Sequence, residues 1–414
     1  MSTVYLHVGQ CGNQVGHAFW KKVDKDSSVK ESHSYIHPDD KQRSVHVDSE
    51  PKVLSKISKG LKIREGNIVC GKRGRGTNWA LGYYGTQREE HLLEDSLDRV
   101  RKEIEKCDAY SGCIMMHSLS GGTGSGLGSR LCEEMRDYYP LAHLMSCAFA
   151  PCISGESPLQ HYNSLLTLSK LQRNSDCIIL THNDDVLQNL EKKAKGSVSF
   201  DNMNTSIAAS LCGLFLPTDS LTPSRGVSIG MEPWELIRAT CPVPGYKFLH
   251  VNHVSRSKLT WEALMGQLLL GVRRYNTQGG ALGSLSSVVV GRGDSGKTFL
   301  YSMRTLEKKV KAVYNCVNWN PFPLDVWTAA ANPAGPREAS SITIASNHGT
   351  VVDYLETLVQ RSKVMYDATA YIHWYKRHGS GYVDCVATYS LRPSSVTIPG
   401  MLYFQSVEYY PGFS

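Results

Sequence analysis

The sequence predicts an α/β protein built on a parallel, doubly wound sheet, and three observations carry that prediction. Apolar strand-like runs alternate with helix-like segments through the first half of the chain. Two of those runs lead into glycine-containing turns at which a helix opens, the arrangement that puts ligands at the carboxyl ends of strands. A Pro/Ser/Gly-rich stretch over 217–230 then separates this half from a second region of mixed pattern. At 414 residues the chain is long enough for two or three domains and a large core.

The elements follow in order. Residues 3–8 read as a strand, 12–22 as a helix, and 44–47 as a short strand ending at Asp48 and Glu50. A helix is expected over 89–105, a strand over 113–117 and a helix over 127–138. Apolar runs at 144–150 and 177–181 supply two more strands, and 202–216 is a largely apolar helix. Beyond the boundary, residues 231–345 form a mixed region with a helix over 261–275 and a strand over 286–290. Residues 350–378 read as one long helix. The tail, 380–414, is β-branched and Pro-interrupted, with no helical period.

Composition narrows the class. Hydrophobic content of 41% and charged content of 20% are ordinary for a soluble globular protein. No apolar run approaches the ~18 residues of a membrane span, and no basic-then-apolar leader opens the chain, so neither a membrane nor a secretory route is expected. Twelve scattered cysteines without Cys-x-x-Cys spacing read as reduced small residues rather than disulfides or zinc ligands. The net charge of +7 is spread thinly, as in Lys192-Lys193, Arg273-Arg274 and Lys308-Lys309. Without a basic block interleaved with aromatics, nucleic acid is not an expected partner.

The most informative stretch is Ser120-Gly121-Gly122-Thr123-Gly124-Ser125-Gly126, between a strand-like and a helix-like segment. Uncovered backbone N–H groups, a helix N-terminus behind them and interspersed hydroxyls together form an anion cradle. The same glycines also serve as plain steric punctuation, and spacing alone does not name the anion.

GGTGSG at 121–126 resembles the phosphate loop of tubulins, and HVGQCGNQVG at 7–16 resembles their first nucleotide loop. VDSEP (47–51), TNWALGYY (77–84), HYNSLL (161–166) and YIHWYKRHG (371–379) follow in tubulin order, so the resemblance runs over roughly residues 1–379. VRKEIEKCDAYSG (100–112) is similar to the divergent delta and zeta members rather than the polymer-forming ones. The resemblance implies a Rossmann-like GTPase domain over 1–201, a connecting core helix over 202–216, a mixed α+β intermediate domain over 217–345 and a helical C-terminal region over 346–414. It implies a GTP/GDP and Mg²⁺ cofactor set and assembly with other tubulins, alpha/beta or divergent, at centriolar microtubules. The implied location is the cytoplasm and cytoskeleton, at centrioles, basal bodies and cilia. Against the polymer-forming members, the segment 24–43 is brief, the lateral-contact loop is largely missing after 261–275, and no acidic tail closes the chain. An acidic tubulin surface suits a basic chain as partner.

Carried over residue by residue, the first loop offers Gly9, Gln10, Cys11 and Gln14 to phosphate and ribose. Asp48 and Glu50 read as Mg²⁺ ligands acting largely through water, or as a solvated turn. Gly74, Arg75, Gly76, Thr77 and Asn78 match the loop facing the γ-phosphate; Arg75 stands where a small residue is usual and either donates to phosphate or points into water. Asn183, Phe200 and Asn204 match guanine-contacting positions, although a mid-core aromatic more often packs than stacks. Gln160 replaces a ribose-contacting carboxylate. Glu235, with Glu232, aligns with the acid that completes hydrolysis in trans on a neighbour's nucleotide. Two acids at a helix start also offset its dipole.

Two competing readings remain. Gly291–Thr298 matches GxxxxGK[ST] after a strand, which would make the chain a P-loop NTPase, but no convincing strand with a metal-binding Asp follows. In the other, GTP or GDP is a folding cofactor of a structural tubulin homologue that does not hydrolyse it.

Overall fold

The computed structural model describes residues 2–25, 35–85, 91–154, 157–192, 196–218, 233–294, 298–333, 335 and 339–379. Among the described residues ten strands form one sheet, β1 (Ser2–Val8), β2 (Ser44–Asp48), β3 (Ile68–Cys70), β4 (Tyr110–Ser118), β5 (His143–Ala150), β6 (Cys177–His182), β7 (Phe248–Ser257), β8 (Ser284–Arg292), β9 (Leu324–Ala329) and β10 (Ala339–His348). Their order is β3-β2-β1-β4-β5-β6-β7-β10-β8-β9. The first six pair in parallel, in the doubly wound order whose direction reverses between β1 and β4. β7 adds in parallel through two residue pairs, then turns the sheet antiparallel by pairing with β10. β1 and β5 are apolar runs covered on both faces by helices, which is why they lack the alternation of a half-exposed strand.

The helix Phe200–Phe215 packs on the helix Gly9–Val23 and buries Met203, Ile207, Leu211 and Phe215. Ser199 caps its start through Oγ, accepting from Asn202 N at 3.2 Å. Its far end is held by Arg292 of β8, only 1% exposed, which donates to the Gly213 and Pro217 carbonyls at 2.8 Å and to that of Leu216. That cation satisfies carbonyls a helix C-terminus leaves unpaired and offsets its negative end.

Several boundaries differ from expectation. The helix expected over 12–22 starts at Gly9, directly on β1, because Gly9 at φ 75° turns the chain in a single residue. The helix expected over 261–275 stops at Leu270, before Gly271. The long helix expected over 350–378 breaks into Val351–Asp367 and Ile372–Lys376, with Thr369 and Tyr371 in left-handed conformations at φ 54° and 59° between them. Glu232 and the tail 380–414 lie outside the described residues. Three residues, 258–260, join β7 to the helix Trp261–Leu270.

The sequence match to a P-loop meets a different structure. The Asp294 carboxylate sits at the start of the helix Thr298–Val313, accepting from Thr298 N and Oγ1 at 2.9 and 2.8 Å and from Phe299 N at 2.8 Å. The Thr298 and Phe299 amides at this helix start are thus engaged by the chain's own carboxylate rather than left for a phosphate. Lys297 lies outside the described residues.

Three fully buried histidines underlie the first half of the sheet. His7 accepts from Trp20 Nε1 at 3.0 Å and stacks on His46, while His117 Nε2 pairs with Ser146 Oγ at 2.7 Å. Burial lowers His7 to about 3 and His117 to about 4. Because these folded values lie below the unfolded one, their contribution is complete above pH ~6.5 and is lost as pH falls toward 3–4. The unfolding free energy from urea titration is therefore expected to drop between pH 7.5 and pH 5, by on the order of 1–2 kcal/mol per histidine, and the midpoint with it. An unchanged midpoint would show that these rings are solvated.

Candidate functional site

Two glycine turns meet where the strand order reverses, one after β1 and one after β4. A Cβ on Gly9 would lie 2.8 Å from Gly124 N, so the two turns touch only because neither carries a side chain there. The second turn is more regular than a loop. Gly122–Leu127 winds as a single π-helical turn and runs directly into the helix Gly128–Tyr138.

A cavity of about 550 Å³ opens above these turns. Ser120, Gly121, Gly122, Thr123 and Gly124 form its floor, with Gln10, Cys11 and Gln14 beside them. Burial pushes the Cys11 thiol up to about 12, so it stays protonated and contributes shape rather than a nucleophile. The motif's last two residues serve packing. Ser125 is buried with its hydroxyl donating to the Gly121 carbonyl, and a Cβ on Gly126 would lie 2.2 Å from Trp79 O.

Asp48, Ser49 and Glu50 enter from the end of β2. Ser49 Oγ and Thr123 Oγ1, 2.6 Å apart, tie this acidic turn to the glycine turn. Asp48 is 5% exposed, and burial, helped by the Glu50 charge, raises its carboxyl to about 6 against two backbone hydrogen bonds. A cation would relieve that. Among the described residues no three His, Cys, Asp or Glu side chains could hold a metal by themselves. Two hard oxygen donors beside a phosphate cradle therefore fit Mg²⁺ held jointly with ligand oxygens and water.

The 71–78 loop divides by role. Gly76 and Thr77 are successive left-handed residues, at φ 53° and 52°, and both line the cavity. Arg75 also lines it and is 4% exposed, so it does not project into water. Gly74 lies outside the lining; a Cβ there would meet Glu50 Oε1 at 2.0 Å. Asn78 is a helix cap, its Oδ1 accepting from Ala80 N at 2.8 Å and Leu81 N at 3.3 Å.

Across the cavity, Asn183 opens one helix while Phe200 and Asn204 stand one turn apart on another. Phe200 is 69% exposed, so it is no core residue, and it lines the cavity. Gln160 is not in the lining; its Nε2 donates to the Cys152 and Ile153 carbonyls, both at 3.3 Å. Glu235 lies on the helix Pro233–Thr240, away from this cavity, and is 4% exposed.

Ser49, Lys52, Asn13 and Asn163 contribute here without being expected from the sequence. Lys52 adds a cation to the lining. Asn13 Nδ2 donates to the Gly9 and Val47 carbonyls, both at 2.9 Å, joining the first turn to β2. Asn163 donates to the Thr77 and Ser120 carbonyls at 2.8 and 2.7 Å, joining the other two loops. The available signal was an amide among apolar helix positions, inside CGNQVG and HYNSLL.

Comparison with known proteins agrees with this geometry. The family model described as "Tubulin/FtsZ family, GTPase domain" matches residues 2–191, which supply most of the cavity's walls. The chain is 30% identical to a tubulin delta chain of Homo sapiens, over 92% of this chain and 95% of that one. It is 28% identical to the delta chain of Canis lupus familiaris, over 94% and 98%. A tubulin beta-1 chain of Chondrus crispus is 27% identical over 91% and 88%. With a sheet in doubly wound order, a cavity built on both glycine turns and a relative 30% identical along most of its length, the chain belongs to the tubulin family.

Proposed function

We propose that the cavity binds GTP or GDP with Mg²⁺ and that the protein assembles with other tubulins, at centriolar and basal-body microtubules. One observation carries the ligand reading: segments remote in sequence converge on a single cavity with an anion cradle at one side and amides beside an exposed aromatic ring at the other. Asn183 and Asn204 suit a base edge that presents both donor and acceptor groups. Thr123, Arg75 and Lys52 suit phosphate oxygens, and Asp48 and Glu50 suit the cation. The centriolar assignment rests on likeness to delta chains.

Hydrolysis in trans is the mechanistic part of this reading. Glu235 stands outside its own cavity, as an acid serving a neighbour must, and would orient water toward that neighbour's γ-phosphate. Its burial requires the carboxylate to become uncovered on assembly. That same burial favours the second reading, in which the nucleotide is a bound folding cofactor and turnover is absent. Adding partner tubulins is expected to stimulate GTP hydrolysis at least about tenfold, with the stimulation lost in Glu235→Gln. Absence of stimulation in the unsubstituted protein would select the cofactor reading.

A further inference from the structure

The short helix Ile372–Lys376 is wired directly to the loops that face the phosphates. Tyr375 is 1% exposed, and its hydroxyl donates to Asn163 Oδ1 at 2.7 Å. The same oxygen accepts from Trp79 N at 3.0 Å, while Nδ2 spends both its hydrogens on Thr77 O and Ser120 O. All four hydrogen-bonding positions of this buried amide are filled, so its orientation is fixed by the two donors and transmitted to the two carbonyls. Thr77 is already in a left-handed conformation that the chain must hold in place. A parallel link runs from Asn78 Nδ2 to Trp374 O at 3.2 Å.

We propose that Tyr375 is a positioning residue for the phosphate end of the bound nucleotide. Its hydroxyl sets the Asn163 amide, and that amide sets the spacing between the Thr77 loop and the Ser120 turn. The inference deepens the nucleotide-binding reading and rests on it. By linkage, phosphate that tightens the two loops also tightens the C-terminal helix. The turn leading into the helix has a separate anchor: Tyr162, edge-on to the Tyr375 ring at 5.4 Å, donates to Ala370 O at 3.2 Å.

The test compares wild type, Tyr375→Phe and Tyr162→Phe by calorimetric titration with GTP and with GMP. Phenylalanine keeps the ring packing in both variants. Tyr375→Phe is expected to lose about tenfold in GTP affinity and less than about twofold in GMP affinity, because the loops it sets meet the outer phosphates. Tyr162→Phe is expected to keep both. Equal loss for GTP and GMP, equal loss in both variants, or no loss where wild type binds would overturn the proposal. Wild type that binds neither nucleotide would refute the ligand reading itself, and the inference with it.

Discussion

Gly82→Ala is expected to weaken nucleotide binding by roughly a hundredfold, although the residue is not among those lining the cavity. Gly82 lies in the helix Trp79–Tyr84, which packs on the π-helical turn so closely that an added Cβ would lie 2.0 Å from Gly122 O. It would also lie 3.0 Å from Gly126 Cα, so the obstacle is backbone on two sides and no rotamer relieves it. Overpacking of this kind costs about 1–3 kcal/mol of stability. The larger effect is geometric, since a displacement of about 1 Å in groups that contact the ligand is worth roughly a hundredfold. Gly266→Ala is the control. An added Cβ there meets nothing within 4 Å, so this variant should bind normally and gain about 0.5–1 kcal/mol from helix propensity. Nucleotide affinity and thermal midpoints of the two variants check both halves. Normal binding by Gly82→Ala would mean the turn is not held by this contact.

Asn163→Leu is the second large effect. Leucine is close in volume but removes the buried acceptor of Trp79 N, leaves the Tyr375 hydroxyl only the Leu159 carbonyl at 3.5 Å, and strips Thr77 O and Ser120 O of their donor at the part-buried edge of the cavity. A buried group left unsatisfied costs about 1–3 kcal/mol and the carbonyls at the cavity edge less, so a total of roughly 2 kcal/mol or more is expected. Nucleotide affinity should fall further than stability alone explains, because two of the four affected groups are in the cavity loops. Denaturant unfolding with and without GTP separates the two: the stabilisation that GTP adds should shrink along with the baseline. A variant that loses baseline stability but keeps the full increment would show that Asn163 supports the fold alone.

Much of the first half was legible because its strands are covered on both faces and read as short apolar runs, as at 113–117 and 144–150. β10 went unread because Ala339–His348 mixes serine, threonine and histidine with its apolar residues, and its partners are far away in sequence. The break after Asp367 was invisible for a local reason. It depends on left-handed Thr369 and Tyr371, residues whose types do not announce that conformation. Within the site, motif residues were legible as a group, but their division of labour was not. Asn78, Ser125 and Gly126 stand inside ligand motifs and serve a cap or a close packing contact, while Gln160 binds backbone. The placement of the Trp79–Tyr84 helix on the glycine turn sets the roles of Asn78 and Gly126.

The central claim, that this cavity holds a guanine nucleotide, is tested most directly by denaturing purified protein and identifying any released nucleotide by chromatography. Gly124→Val serves as the paired sample, because Gly124 lines the cavity and an added Cβ there already lies 3.0 Å from Ser118 N. The account predicts near-stoichiometric GTP or GDP from the unsubstituted protein and its loss from the variant. Well-folded protein that releases no guanine nucleotide would contradict it.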